Sequence, residues 1–406
     1  MFSPKIILIF TVCIISFVHL VSEEQPYFFK YSITSKQISA IQIDGELVWF
    51  ATQGDGVLVY HKSEDRWTRY TSKDGLPSDK VTALAIDEDF VWIGTWDNGA
   101  AKFDKKKKEW ITFDVLYPQY WKEGGFRKYM INCITVDGNY IWFGLGGGIG
   151  GGARMYDKKN EVWKVAEPFA PNPEYCSKDD LDKYLEFSLI RQKSIKGCFV
   201  VKNTEIGDVN AIGIDGEDVW FCETECIAKY NKKSKEWTVY LDEFALYETI
   251  PKGEGYEDIY EYANLYGGKP EDFIPRICCL ANSIGITKNY IWIDGGIMKE
   301  SVEYNGLRRY DKRTGKWRRY TSKDGIGSKI VLSIAVDGEN VWVGLGGHFG
   351  LSFYNAKTNK WTTYNALQSL SCYAVYSLAV DTDSIWIGTD NGIGRLFLKK
   401  CTKSPQ

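Results

Sequence analysis

An all-β ring of seven four-stranded antiparallel blades, a β-propeller, is the fold class that the sequence predicts. Three observations predict it. A short segment centred on tryptophan recurs seven times, at Trp49, Trp92, Trp142, Trp220, Trp292, Trp342 and Trp386. Around each copy runs period-two alternation rich in β-branched and aromatic residues, broken by Asp-Gly or Lys-rich turns, which reads as short strands joined by hairpins. The last copy lacks a segment that the start of the chain supplies. Hairpins repeated in this way stack radially around a shared core.

The first strand of each copy is an alternating run such as Val81 to Ile86. It ends in an acidic turn at Asp44, Asp87, Asp137, Asp215, Asp337 or Asp381, with Thr287 as the exception. The second strand carries the repeat Trp. The third ends in an aromatic residue: Tyr60, Phe103, Tyr156, Tyr230, Tyr310 or Tyr354. A second Trp, at 67, 110, 163, 237, 317 or 361, opens the fourth strand. A twisted blade needs a large apolar wedge against its neighbour, so the repeat Trp residues are predicted to be core. The seventh copy stops at Lys400 without a fourth strand. Phe28-Phe29-Lys30-Tyr31, followed by Thr34-Ser35-Lys36, resembles the fourth strand of the other copies, where Thr-Ser-Lys recurs at Thr71 and Thr321. The N-terminal strand is therefore expected to complete the last blade and remove the free edges.

Outside the repeat, residues 1–22 show Lys5 and then an apolar run from Ile6 to Val21. This is the pattern of a secretory signal peptide, with an uncleaved N-terminal anchor as the alternative. The run is short for a spanning helix, which needs about 20 apolar residues. The propeller is expected over 26–400, with blade-connecting insertions at 164–208 and 241–280 and a tail at 401–406. Export would permit disulfides among the ten cysteines, and Cys222 with Cys226 or Cys176 with Cys198 are possible pairs. A net charge of −3 gives no reason to expect nucleic acid, and contact with a membrane is expected only through the N-terminal anchor.

Val91-Trp92-Ile93-Gly94-Thr95 to Gly99, Ile385 to Gly392, and Trp67-Thr-Arg-Tyr-Thr-Ser-Lys-Asp-Gly-Leu-Pro-Ser78 resemble the two-component regulator propeller repeat. The resemblance covers nearly everything after residue 26. It implies a propeller that, in that family, often serves as the periplasmic sensor domain of a hybrid histidine kinase.

Copy-to-copy differences carry the functional expectation. The Trp-to-Trp spacings are 43, 50, 78, 72, 50 and 44 residues. Growth falls in the connections between blades and between second and third strands. Those two loop sets share one face, so one face is minimal and the other elaborated. Recognition on such scaffolds resides on decorated loops. The stretches 177–185 and 256–266 read as short helical insertions covering that face. On the minimal face, Lys-rich turns and acidic turns are expected to neutralise one another.

Candidate ligand-binding residues are Trp96, Asp97, Tyr120, Trp121, Glu223, Asp294, His348 and Asp390. The carboxylates occupy second-to-third-strand loops and would ring the channel mouth, suiting a cation or a hydroxyl-rich ligand. The aromatics lie outside the repeat on the same face and suit a sugar or peptide. The glycine run 144–152 is not a phosphate loop, because no Lys-Ser/Thr and no helix follow it. No catalytic triad, metal cluster or cofactor motif is readable. The expected function is an exported, non-catalytic binder of a small molecule, glycan or protein. One alternative is a propeller lyase or hydrolase using His348 with a channel carboxylate as acid and base. A further alternative is a periplasmic sensor working with a separate kinase.

Overall fold

The computed structural model describes residues 27–34, 36–113, 130–146, 152–166, 208–223, 227–240, 281–295, 306–365 and 372–398. These form seven separate four-stranded antiparallel sheets. Blade 1 is Ile38–Asp44, Leu47–Thr52, Val57–His61 and Arg66–Tyr70; blade 2 is Val81–Ile86, Phe90–Thr95, Ala100–Asp104 and Glu109–Phe113. Blade 3 is Met130–Asp137, Tyr140–Gly146, Gly152–Asp157 and Val162–Ala166; blade 4 is Val209–Asp215, Asp218–Glu223, Ile227–Asn231 and Trp237–Tyr240. Blade 5 is Ile284–Ile286, Tyr290–Asp294, Leu307–Asp311 and Lys316–Tyr320; blade 6 is Val331–Asp337, Asn340–Leu345, Leu351–Asn355 and Lys360–Tyr364. Blade 7 holds Val375–Val380, Ser384–Thr389 and Gly392–Phe397, and its fourth strand comes from the other end of the chain. Tyr27–Tyr31 pairs antiparallel with Gly392–Phe397, Tyr27 opposite Phe397 and Tyr31 opposite Ile393. First strands of successive blades touch all the way round, and that of blade 7 touches that of blade 1. The expected helical insertions at 177–185 and 256–266 lie outside the described residues.

Each seam between blades is filled by the repeat Trp. Trp49 meets Phe103 of the next blade at 5.6 Å between ring centroids, Trp92 meets Tyr156 at 5.6 Å, and Trp142 meets Phe221 at 5.6 Å. Trp220 meets Tyr310 at 5.4 Å, Trp292 meets Tyr354 at 5.1 Å, and Trp386 meets Tyr60 at 5.4 Å. Trp342 instead packs in a cluster with Leu396 of blade 7. All seven indoles are buried. At five of the seven seams the third-strand aromatic is thus the surface that receives the preceding blade's wedge, which is why the two recur together.

The aspartate five residues before the Trp has a physical role. Asp87, Asp137 and Asp381 accept the indole Nε1–H of Trp92, Trp142 and Trp386 at 3.0, 3.3 and 3.1 Å. The same carboxylates receive a lysine from the following blade. Lys158 reaches Asp87 at 2.8 Å, Lys232 reaches Asp137 at 2.8 Å and Lys62 reaches Asp381 at 3.2 Å. Lys105 and Lys312 close the same contact on Asp44 and Asp215, at 2.7 and 2.6 Å. Burial pushes the Asp87 carboxyl up, but bonds from Lys158, the Trp92 indole and the Phe90 amide together hold it below the usual carboxylate range. The lysine-rich turn at 105–108 is spent locally: Lys106 pairs with Asp89 and Lys107 with Asp104 and Glu109. The exception at Thr287 now has a partner exception. In blade 6 the lysine position is Ala356, so the seam between blades 5 and 6 lacks both charges; Trp292 Nε1 is buried without a partner, as is Trp49 Nε1 at a seam that keeps its clasp.

Nearer the axis, side-chain hydroxyls stitch one first strand to the next. Ser39, Ser333 and Ser377 donate to the carbonyls of Val81, Val375 and Ile38, and Thr82 donates to Ile131. Six first strands carry a β-bulge at their second or third residue. Bulges turn a side chain away from the ladder. The residues so placed, Ser39, Thr82, Asn132, Asn210, Leu332 and Tyr376, are all half-buried.

Candidate functional site

The loops between second and third strands meet the segments that lead into first strands. Gly54 N–H donates to Asp79 O at 3.0 Å, Gly346 N–H to Ile330 O at 3.0 Å, and Asp390 N–H to Ala374 O at 3.4 Å. The Asn98 amide donates to Pro77 O. Both loop sets therefore lie on one face, as their lengths imply.

The structure sorts the expected site residues into three groups. Tyr120 and Trp121 lie outside the described residues, as does most of the glycine run 144–152. Trp96 stands 51% exposed at a loop tip, with Asp97 beside it in an ion pair to Lys80 at 3.3 Å. His348 and Asp390 occupy neighbouring loops of blades 6 and 7 and are bound to one segment, Cys372–Ala374. Glu223 and Asp294 are buried. They do not present a ring of carboxylates at the channel mouth.

Asp294 departs furthest from expectation. It ends the second strand of blade 5 at a position that is Gly94, Gly144, Gly344 or Gly388 elsewhere. Those glycines have no room: a Cβ on Gly344 would lie 2.2 Å from Ser333 Oγ and 2.6 Å from Val375. In blade 5 the first strand is only Ile284–Ile286, and the space is taken by the carboxylate. Asp294 Oδ1 accepts the backbone N–H of Asn282 at 2.8 Å and of Ser283 at 2.9 Å, replacing the ladder bonds that the short strand lacks. Complete burial pushes its carboxyl up to about 7, against the two amide bonds and the Arg308 charge, which act downward.

Stability is therefore expected to depend on pH. The unfolded carboxyl titrates near about 4, so from there to about 7 the folded state binds the extra proton. The contribution of Asp294 is most favourable below that window and is lost as pH rises through it, by on the order of 4 kcal/mol. Asp294→Asn keeps an oxygen for both amides and cannot ionise. Urea midpoints measured between pH 5 and pH 8 are expected to fall with pH in the parent and to flatten in the variant. Parallel slopes would refute the assignment.

At blades 6 and 7 the arrangement is different. His348 has φ +69°, a left-handed conformation uncommon outside glycine. Its N–H donates to Tyr373 O at 2.8 Å, and Nδ1 lies 3.1 Å from Cys372 O. A carbonyl only accepts, so Nδ1 is the donor in this contact. The ring stands edge-on to Tyr373 at 4.6 Å. Asp390 Oδ1 accepts the N–H of Tyr373 at 2.9 Å and of Ala374 at 3.1 Å. Tyr373 and Phe349 are 54% and 48% exposed. Neither is among the residues that the sequence nominates. Phe349 sits in a glycine-rich loop, and Tyr373 precedes the repeat by two residues, so only their apolar character in a loop marks them.

Cys133 and Cys372 carry free thiols, pushed by burial up to about 12 and about 11. Cys176, Cys198 and Cys226, named above in possible disulfides, lie outside the described residues. Among the described residues no helix is long and apolar enough to cross a membrane.

No known protein-family profile matches the sequence, and no curated protein matches it. Solved structures do. The chain is similar to the extracellular domain of BT3049, assigned to the hybrid two component systems of B. thetaiotaomicron: TM-score 0.58, 17% identity, 91% of this chain and 41% of that one. The extracellular domain of BT4673 from the same organism, assigned to a one component system, matches with TM-score 0.57 and 14% identity over 91% of this chain and 39% of that one. The computationally designed Ika8 protein matches with TM-score 0.53 and 11% identity over 93% of this chain and 99% of that one. The chain thus spans about two fifths of the length of the two bacterial domains. These likenesses show the fold alone: a seven-bladed propeller of the kind also present in extracellular domains of bacterial one and two component systems.

Proposed function

We propose that the protein is an exported recognition module that catalyses nothing and binds a small molecule or a protein partner through its elaborated face. One observation carries this reading. Four large hydrophobic side chains are exposed among the described residues, and three of them, Trp96, Phe349 and Tyr373, stand on that face. Exposed aromatics on a rigid scaffold are the kind of surface that proteins use for binding. The opposite face is closed on itself by the aspartate–lysine ion pairs of the seams. Of the carboxylates that the enzyme alternative would pair with His348, Glu223 and Asp294 are buried.

The test is a metabolite- and protein-binding screen on the mature chain, repeated with Trp96→Ala, Phe349→Ala and, on the opposite face, Lys106→Ala. A captured species is expected to weaken by about tenfold or more in at least one of the first two variants and to ignore the third. Affinity that follows Lys106 alone would overturn the reading. A second reading, a sensor module acting with a separate kinase, is favoured by the likeness to extracellular domains of two component systems. It requires that the captured species change the module's binding to that kinase's receptor chain, which a pull-down with and without the species measures.

A further inference from the structure

The seam between blades 2 and 3 holds an amine that lacks an acceptor. In four blades the third-strand residue opposite the repeat Trp is a cation: Lys102, Lys229, Arg309 and Arg395 stand opposite Trp92, Trp220, Trp292 and Trp386. Three of the four have a polar partner as well as a ring. Lys229 pairs with Asp218 at 3.3 Å, Arg395 pairs with Asp383 at 3.2 Å, and Arg309 donates to the Tyr354 hydroxyl at 3.2 Å. Lys102 is 9% exposed and makes no hydrogen bond or ion pair among the described residues; Phe90 stands where blade 4 has Asp218. Its Nζ lies 4.5 Å from the centroid of the Phe90 ring, 5.3 Å from Phe113, 5.5 Å from Trp92 and 5.9 Å from Tyr156 of blade 3. Nζ is not one of the fully sealed polar atoms, so the cage is open to solvent at that end.

Four π faces attract the ammonium, but they do not accept its three N–H bonds as water or a carboxylate would. Burial pushes the amine below the usual lysine range, and Lys107 acts in the same direction, against the pull of Glu161, Asp104 and Asp87. Asp87 is held by Lys158 and the Trp92 indole, and Asp104 by the amides of Lys106 and Lys107. A desolvated lysine amine is a nucleophile at neutral pH. We propose that Lys102 is a modification site that captures small aldehydes covalently. Its nitrogen bonds to the carbonyl carbon, the carbonyl oxygen leaves as water with two of the three ammonium protons, and the protonated imine keeps one positive charge. Nothing else is consumed. The cage that leaves the ammonium short of acceptors suits the imine cation, which has a single N–H, and shields it from the water that would hydrolyse it. Lys106 and Lys107, in the turn that follows, lack these surroundings: both are exposed and paired with Asp89 and Asp104. The site is independent of the elaborated face and of anything bound there.

The experiment treats the mature chain at pH 7 with propanal and cyanoborohydride, which reduces the imine to a stable secondary amine, and maps the modified lysines by peptide mass spectrometry. Lys102 is expected to be alkylated about tenfold faster than Lys106 or Lys107. Lys102→Arg keeps a cation in the cage and is expected to melt as the parent does while losing that adduct. Phe90→Asp supplies the carboxylate that blade 4 carries at this position and is expected to bring the rate at Lys102 down to that at Lys106. On the parent chain the rate at Lys102 is expected to level off at lower pH than the rate at Lys106, whose amine Asp89 holds above the usual lysine range. That comparison needs no variant, so it decides the matter even if Phe90→Asp does not fold. The proposal fails if Lys102 reacts no faster than the two exposed lysines, if the rates at Lys102 and Lys106 level off at the same pH, or if a folded Phe90→Asp chain keeps the fast adduct.

Discussion

A chain lacking residues 27–31 is expected to lose the cooperative fold of the whole ring. Those five residues are the fourth strand of blade 7, paired along their full length with Gly392–Phe397. Tyr31 is buried and lies 5.4 Å from Trp386, 5.5 Å from Tyr60 and 5.5 Å from Trp67, so it belongs to the seam between the last blade and the first. Tyr27 stacks on Phe397 at 4.9 Å, and Phe28 packs against the cluster around Trp342. Losing Phe28 and Tyr31 alone forfeits roughly 1.5–3 kcal/mol each in buried apolar area. The larger loss is closure. Gly392–Phe397 becomes an edge with unpaired backbone groups beside exposed Trp386, which invites association. Size exclusion and circular dichroism are expected to show aggregation or a broad, early melt. A synthetic peptide spanning 26–33 is expected to restore the melt by adding the missing strand in trans. A truncated chain that is monomeric with an unaltered melt would show that the ring does not depend on this closure.

The second large effect is expected from Trp92→Ala. Trp92 is fully buried between Phe113 of its own blade and Phe143 and Tyr156 of the next. Its Nε1–H bonds Asp87, and the Lys102 ammonium lies 5.5 Å from its ring. Truncation leaves a cavity in a rigid seam and takes one donor from a carboxylate that Lys158 also holds. A buried Trp cut to Ala costs about 3–5 kcal/mol. Trp96→Ala, four residues on, is expected to stay within about 0.5 kcal/mol, because that ring already faces water. Urea midpoints compare the two directly. Equal costs would remove the distinction between the tryptophans that separate blades and the one on the loop face.

Most of the architecture is legible in the sequence, because the repeat is dictated by packing. A wedge needs a receiving ring on the next blade, and Trp and Tyr recur at fixed spacing for that reason. The role of the aspartate before each Trp is not legible there. Its two partners, an indole in the same sheet and a lysine from the next, are brought together only by the ring. The elaborated face is readable from loop lengths alone. Which of its residues face water is not. Asp294 and Asp390 both follow a repeat Trp and both accept paired backbone amides, yet one is sealed inside and the other stands on the rim. The difference lies in two residues of spacing from the Trp, and blade 5 offers one sign of it: a carboxylate where four other copies have glycine.

The absent charges at Thr287 and Ala356 bear on how the circle as a whole comes apart. Five of its seven joints carry an aspartate–lysine clasp on the minimal face. Between blades 5 and 6 both halves of the clasp are missing, and between blades 6 and 7 Leu398 stands where a lysine would meet Asp337. On that side blade 6 meets its neighbours without an aspartate–lysine clasp, and Arg309 of blade 5 donates to the Tyr354 hydroxyl at 3.2 Å instead. Under heat or tension the joints of blade 6, the blade that carries His348, are expected to part before the five clasped ones, whereas acid, which protonates the aspartates of the clasps, is expected to narrow that difference.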